Sequence, residues 1–83
     1  MSELARDPRQ LGNILRRARK RHGLSQASLG AKAGLRQETI SLTESGNPAV
    51  KLETLLAILA ALDLEFQIAV RSQKWHQDIE SNF

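Results

Sequence analysis

Glycine breaks at Gly23, Gly34 and Gly46 divide residues 10 to 62 into four short helical segments, and this punctuation limits what the chain can fold into. From Gln10 to His22, Leu11, Ile14, Leu15 and Ala18 share one face at the i, i+3, i+4, i+7 spacing of an amphipathic helix, and Gly23 follows as its stop. Ser25 is a good N-cap for a second helix running through Gln26, Leu29 and Ala33, and Gly34 closes it by taking a left-handed conformation cheaply. A third helix begins near Arg36 or Gln37 and ends at Ser45, before the breakers Gly46, Asn47 and Pro48. Leu52, Leu55, Leu56, Leu59 and Leu62 then line one broad face of a fourth, widened by Ile58 and more apolar than a small monomer needs.

Beyond Leu62 the period changes from 3.6 to 2. Leu64, Phe66, Ile68 and Val70 alternate with Glu65, Gln67, Ala69 and Arg71, which predicts a strand over 64–71. The chain offers no second strand signature, so this one is expected to pair with its symmetry mate in another copy, giving a homodimer. Leu59 and Leu62 are expected to join Leu64, Phe66, Ile68 and Val70 at that interface. Size points the same way: 83 residues build one modest core, and the absence of cysteine removes disulfide or thiolate-zinc support. Met1 to Gln10 lacks the apolar stretch of a signal peptide, and the longest apolar run, Leu55 to Leu62, is too short to cross a bilayer. The expectation is a soluble cytoplasmic protein with no membrane partner.

The net charge of +3 conceals two opposed halves. Residues 1 to 36 carry nine basic side chains against two acidic ones, whereas the remainder carries three basic and seven acidic. A basic half of this kind attracts a polyanion. Arg16, Arg17 and Lys20 share a flank of the first helix away from its apolar stripe. Enzymatic chemistry is not expected: there is no convergent acid, base and nucleophile set, glycine-rich phosphate loop or metal cluster, and no cofactor is implied.

The second and third helices, joined by a tight glycine turn, meet the requirements of a helix-turn-helix. Leu29, Ala33, Leu35 and Ile40 supply the core between them. Gly30 stands mid-helix, where glycine costs about 1 kcal/mol relative to alanine and is excused by the close approach of another backbone. Leu24 to Pro48, LSQASLGAKAGLRQETISLTESGNP, resembles the XRE family of lambda Cro and the phage repressors, matching at Ser25, Gln26, Leu29, Gly30, Gly34, Ile40, Ser41, Glu44 and Gly46. The resemblance runs from about Leu11 to Leu62. It implies a mainly α, lambda-repressor-like four-helix domain whose third helix enters the major groove of double-stranded DNA.

Carried over by position, the resemblance sets Gln37, Glu38 and Ser41 against base edges with Leu42 at the far end of that face. Glutamine pairs bidentately with adenine, glutamate accepts from the cytosine amino group, and leucine meets the thymine methyl. Gln26, Arg36, Thr39, Arg16, Arg17 and Lys20 are the candidates for phosphate contact, which fixes register without reading sequence. One position departs from the family: a large apolar residue generally precedes the motif glutamate, and here it is Thr43. Either Thr43 is buried with its hydroxyl bonded to the preceding turn, or the helix rotates and Leu42 is partly core.

The stretch KLETLLAILAALDLEFQIAV and the tail after it resemble the HipB antitoxins. That resemblance implies a homodimeric repressor of its own operon, a palindromic operator and a HipA-like Ser/Thr kinase toxin as partner, with Trp75, Ile79 and Phe83 of the tail as docking residues. The rival reading is a stand-alone regulator, a phage repressor or restriction-modification controller. The expected organisation is an arm over 1–9, the DNA-binding domain over 10–63, a dimerisation strand over 64–71 and a polar tail over 72–83.

Overall fold

The computed structural model describes residues 3–71, and it is built from four helices: α1 (Pro8–Arg21), α2 (Gln26–Ala33), α3 (Gln37–Glu44) and α4 (Leu52–Ala61). The first starts two residues earlier than its apolar period suggests. Asp7 is its N-cap and accepts a hydrogen bond from the Gln10 amide at 2.7 Å, and Pro8 follows in the first turn, where its missing N–H costs nothing. The arm therefore ends at Asp7, not at residue 9.

The second helix runs over the expected residues. Its cap is reciprocal: Ser25 Oγ accepts from the Ser28 amide at 3.0 Å, and Ser28 Oγ accepts from the Ser25 amide at 2.8 Å. Gly34 ends it in the left-handed region, φ 75°, which turns the chain directly into α3. Gly30 has the close neighbour its position called for. A Cβ built there would lie 2.7 Å from the carbonyl oxygen of Leu35, so the α2–α3 turn passes directly over this residue.

The helices pack α2 on α3, α1 on α3 and α2 on α4. One core holds them together: Leu15, Ala18, Leu29, Ile40, Ile58, Leu59, Ala61 and Leu62 are buried, with Leu11, Leu24, Ala33, Leu35, Leu55 and Leu64 against it. Each helix thus contributes to a single cluster, as expected of segments this short. Leu59 and Leu62 are 6% and 1% exposed within their own chain, which assigns their side chains to this core and corrects their placement at a dimer interface. The large apolar residues that α4 leaves open are Leu52 and Leu56, because its leucines spread around more of the helix than one neighbour can cover.

No β-strand is present among the described residues. Residues 64–71 are outside any helix, and the Leu64 amide bonds back to the Leu59 carbonyl at 2.8 Å as the chain leaves α4. The alternating residues beyond it are open: Ile68 and Val70 are essentially fully exposed, and Phe66 is 44% exposed beside Pro8, Leu11 and Leu55. A strand is defined by its ladder, and the described residues hold no second strand to supply it. Trp75, Ile79 and Phe83 lie outside the described residues. No helix among those described is long and apolar enough to cross a membrane.

Gly30→Ala is expected to destabilise the fold by about 1–3 kcal/mol despite alanine's better helix propensity, because its methyl must push the α2–α3 turn outward. Thermal unfolding measures this, and a melting temperature at or above that of the parent would show that the turn yields freely.

Candidate nucleic-acid interface

The first turn of α3 opens on exposed residues. Arg36 is its N-cap residue, and the Arg36 carbonyl accepts from the amides of Thr39 at 3.0 Å and Ile40 at 3.3 Å. With Ile40 fully buried against the core, the helix turns Gln37, Glu38, Ser41 and Leu42 outward together, and all four are exposed. They form one contiguous face at i, i+1, i+4 and i+5. Thr39 sits half-buried at its edge and Arg36 is exposed before it. Glu38 has no ion-pair partner among the described residues, so its carboxylate is open to a donor from outside.

The choice at Thr43 resolves in favour of burial. Its side chain is 3% exposed and its Oγ1 donates to the Thr39 carbonyl at 2.7 Å, so the hydroxyl is satisfied within its own helix. Leu42 is consequently free to stay outside, at 50% exposure. Helix rotation is not needed to accommodate threonine at this position.

The basic end of α1 lies next to the pair. Arg16, Arg17, Lys20 and Arg21 are exposed, and the charges of Lys20 and Arg21, in the last turn, are favoured by the helix dipole. Arg19 is different. It turns inward, 8% exposed, and forms a two-pronged pair with Glu44: Nε donates to Oε2 at 2.7 Å and Nη2 to Oε1 at 3.0 Å. Its remaining nitrogen, Nη1, donates to the Leu24 carbonyl at 2.9 Å. The hydrogen bond to Glu44 holds the Arg19 guanidinium above its ordinary pKa, against the opposing effect of burial, so the group keeps its charge. The signal was in the spacing: Arg19 follows Leu15 by four, on the apolar stripe, where a charge requires a partner.

Glu44 also accepts from Gln26, whose Nε2 stands 3.2 Å from Oε1. The start of α2, the end of α3 and the basic helix α1 therefore meet at one carboxylate. A second contact outside the sequence reading lies on the surface. Glu3 of the N-terminal arm receives a hydrogen bond from Arg17 Nη2 at 2.6 Å and lies 3.9 Å from Arg21. A carboxylate there occupies Arg17, one of the side chains expected to contact phosphate.

A helix-turn-helix family model matches residues 15–68. Over 61 residues, 74% of the chain, the sequence is 34% identical to Antitoxin HipB of Escherichia coli K12, with 69% of that protein matched. The identity to Antitoxin HipB of Escherichia coli O6:H1 strain CFT073 is also 34%, and the chain spans less than two thirds of that relative's length, 65%. Among solved structures, a HipB-O4 20mer complex superposes with a TM-score of 0.79 at 30% identity, covering 86% of this chain and all of that one. A HipA-HipB-O2-O3 complex superposes with a TM-score of 0.77 at 32% identity, over 86% of this chain and all of its counterpart.

If the Glu3 carboxylate competes with phosphate for Arg17, Glu3→Gln should bind duplex DNA up to about five-fold tighter at low salt, the ceiling set by an exposed ion pair. The gain should fade as salt rises. Filter binding or fluorescence anisotropy across a salt series tests this, with Glu53→Gln as the control for net charge; equal gains in both variants would dismiss the competition.

Proposed function

The chain is a HipB-like member of the XRE-type helix-turn-helix family, and from that membership we propose that it is an antitoxin that represses its own operon as a homodimer and binds a HipA-like Ser/Thr kinase toxin. The observation that carries the DNA-binding part is the single exposed face of Gln37, Glu38, Ser41 and Leu42 on α3, flanked by the basic end of α1. An α-helix fits the major groove, and these four side chains match the groove's code of donors, acceptors and thymine methyls. Gln37 reads adenine. Glu38, with no ion-pair partner among the described residues, needs a cytosine amino group to offset its repulsion from phosphate, and Leu42 meets a thymine methyl.

Gln26, Arg36, Thr39, Arg16, Arg17 and Lys20 hold the phosphates on either side of that face. Gln26 opens α2, where free backbone amides and the helix dipole favour an anion. Several neutralised phosphates per half-site make affinity fall steeply with salt.

The dimer reading rests on residues 64–71. Phe66, Ile68 and Val70 are apolar, alternate, and are exposed in one chain, and pairing 64–71 with the same segment of a second copy satisfies both their backbone and their side chains. Two recognition helices related by that two-fold axis call for a palindromic operator with half-sites about 34–36 Å apart, or a multiple of it. The kinase partner is supported by the likeness to the HipA-HipB-O2-O3 complex, and Trp75, Ile79 and Phe83 are assigned to docking it. The same likeness favours this reading over a stand-alone regulator. Co-purification from the native host separates the two, since a regulator without a toxin brings down no kinase.

On an operator located by footprinting, Gln37→Ala should cost about 1–3 kcal/mol while leaving random DNA almost unaffected. Equal losses on both would remove Gln37 from base reading. Ile68→Pro deletes a ladder donor. Sedimentation should find it monomeric at concentrations where the parent is a dimer, and a dimeric variant would refute strand pairing.

A further inference from the structure

We propose that Glu44, clamped by Arg19, is a positioning residue for DNA contact: it dictates which end of the Gln26 amide faces the duplex. The inference rests on the reading of Gln26 as a DNA contact and adds to it the group that orients the contact. Gln26 is the first residue of α2 and half-buried, with its Nε2 3.2 Å from Glu44 Oε1. An ionised carboxylate only accepts hydrogen bonds, so the amide must present its nitrogen to Glu44; the flipped rotamer sets oxygen against oxygen. One N–H of Gln26 is thereby occupied. The other N–H and the carbonyl oxygen are left for the outside.

Glu44 is a rigid reference for this choice. Both of its oxygens are engaged by Arg19, at 2.7 and 3.0 Å, and Arg19 is itself tied to the Leu24 carbonyl at 2.9 Å. The side chains of the pair are 10% and 5% exposed, so water competes little for them. Gln26 is the movable member of the set and is already oriented before DNA arrives. Binding then demands less loss of rotamer freedom from it than from a glutamine held by nothing. Gln37 provides the contrast: it is exposed at the start of α3 and makes no side-chain hydrogen bond among the described residues. The two glutamines divide the work, Gln26 as a prepositioned fixed point and Gln37 as a side chain ordered by the base it meets.

Glu44→Gln also leaves the Arg19 charge without its partner, so its effect on Gln26 is read by comparing two backgrounds: a glutamine at this position offers both a donor and an acceptor and no longer imposes one orientation on Gln26. In binding to a mixed-sequence duplex of about 20 base pairs at low salt, measured well below the melting temperature of every variant, E44Q should weaken affinity about three- to ten-fold. The same change made in a Gln26→Ala background should then cost almost nothing further. Equal losses in both backgrounds would show that Glu44 matters only for the fold, and would overturn the proposal while leaving the Gln26 contact standing. A Q26A protein that binds as well as the parent would instead overturn the contact itself and the positioning role with it. If E44Q does not fold, the DNA-free parent still decides: nuclear relaxation of the Gln26 side-chain amide should report higher order than that of Gln37, and equal order would overturn the proposal.

Discussion

The ion pair between Arg19 and Glu44 is the interaction on which the arrangement of the other parts depends. It joins the last turn of α1 to the last residue of α3, holds the loop between α1 and α2 through the Leu24 carbonyl, and reaches the start of α2 through Gln26. Two charges removed from water gain little net stability from each other, because desolvation offsets most of their attraction. What such a pair supplies is geometry. A planar guanidinium meeting a carboxylate through two hydrogen bonds admits one relative orientation, and apolar contacts in a core this small admit several. With either partner removed, the other is left as a buried charge without compensation, a loss that typically reaches about 3–5 kcal/mol.

Steric contact reinforces the same junction. A Cβ on Gly12 of α1 would lie 2.5 Å from the Glu44 carbonyl oxygen and 2.7 Å from that of Thr43, so α1 crosses the end of α3 at a distance only glycine permits. One face of α1 is thereby committed to the core. Its opposite flank, with Arg16, Arg17 and Lys20, is left exposed. The charge imbalance of the chain takes its functional form from this packing: of the five basic residues between Arg16 and Arg21, four remain on the surface and one is turned inside.

Thr43 illustrates how a local departure is absorbed. Threonine in place of a large apolar residue could have rotated α3 and carried Leu42 into the core. A hydroxyl that finds the carbonyl four residues back is satisfied in place, so the helix keeps its phase and the outward face keeps four adjacent members. Gly30 makes a similar accommodation at the turn, where the missing side chain lets the Leu35 carbonyl pass overhead and keeps α2 and α3 in register.

Four helices, their breaks and the helix-turn-helix were legible in the order of the residues, and the family resemblance supplied the outward face of α3 with Leu42 left open. The helices and their breaks are local properties: a 3.6-residue period, a serine cap and a left-handed glycine act within a few positions. Asp7 and Pro8 were equally local but precede Leu11, the first residue of the apolar stripe, which is why the period alone began the helix at Gln10. Packing settled what spacing cannot carry. Leu59 and Leu62 share the apolar face of α4 with Leu52 and Leu56, and only the docking of α2 on α4 determines which pair is buried. The position of Arg19 on the apolar stripe of α1 called for a partner, but only the fold brings Glu44, twenty-five residues away, beside it. A partner that distant in sequence is brought to a side chain by the fold, because the cost of burying a charge depends on what surrounds it in space.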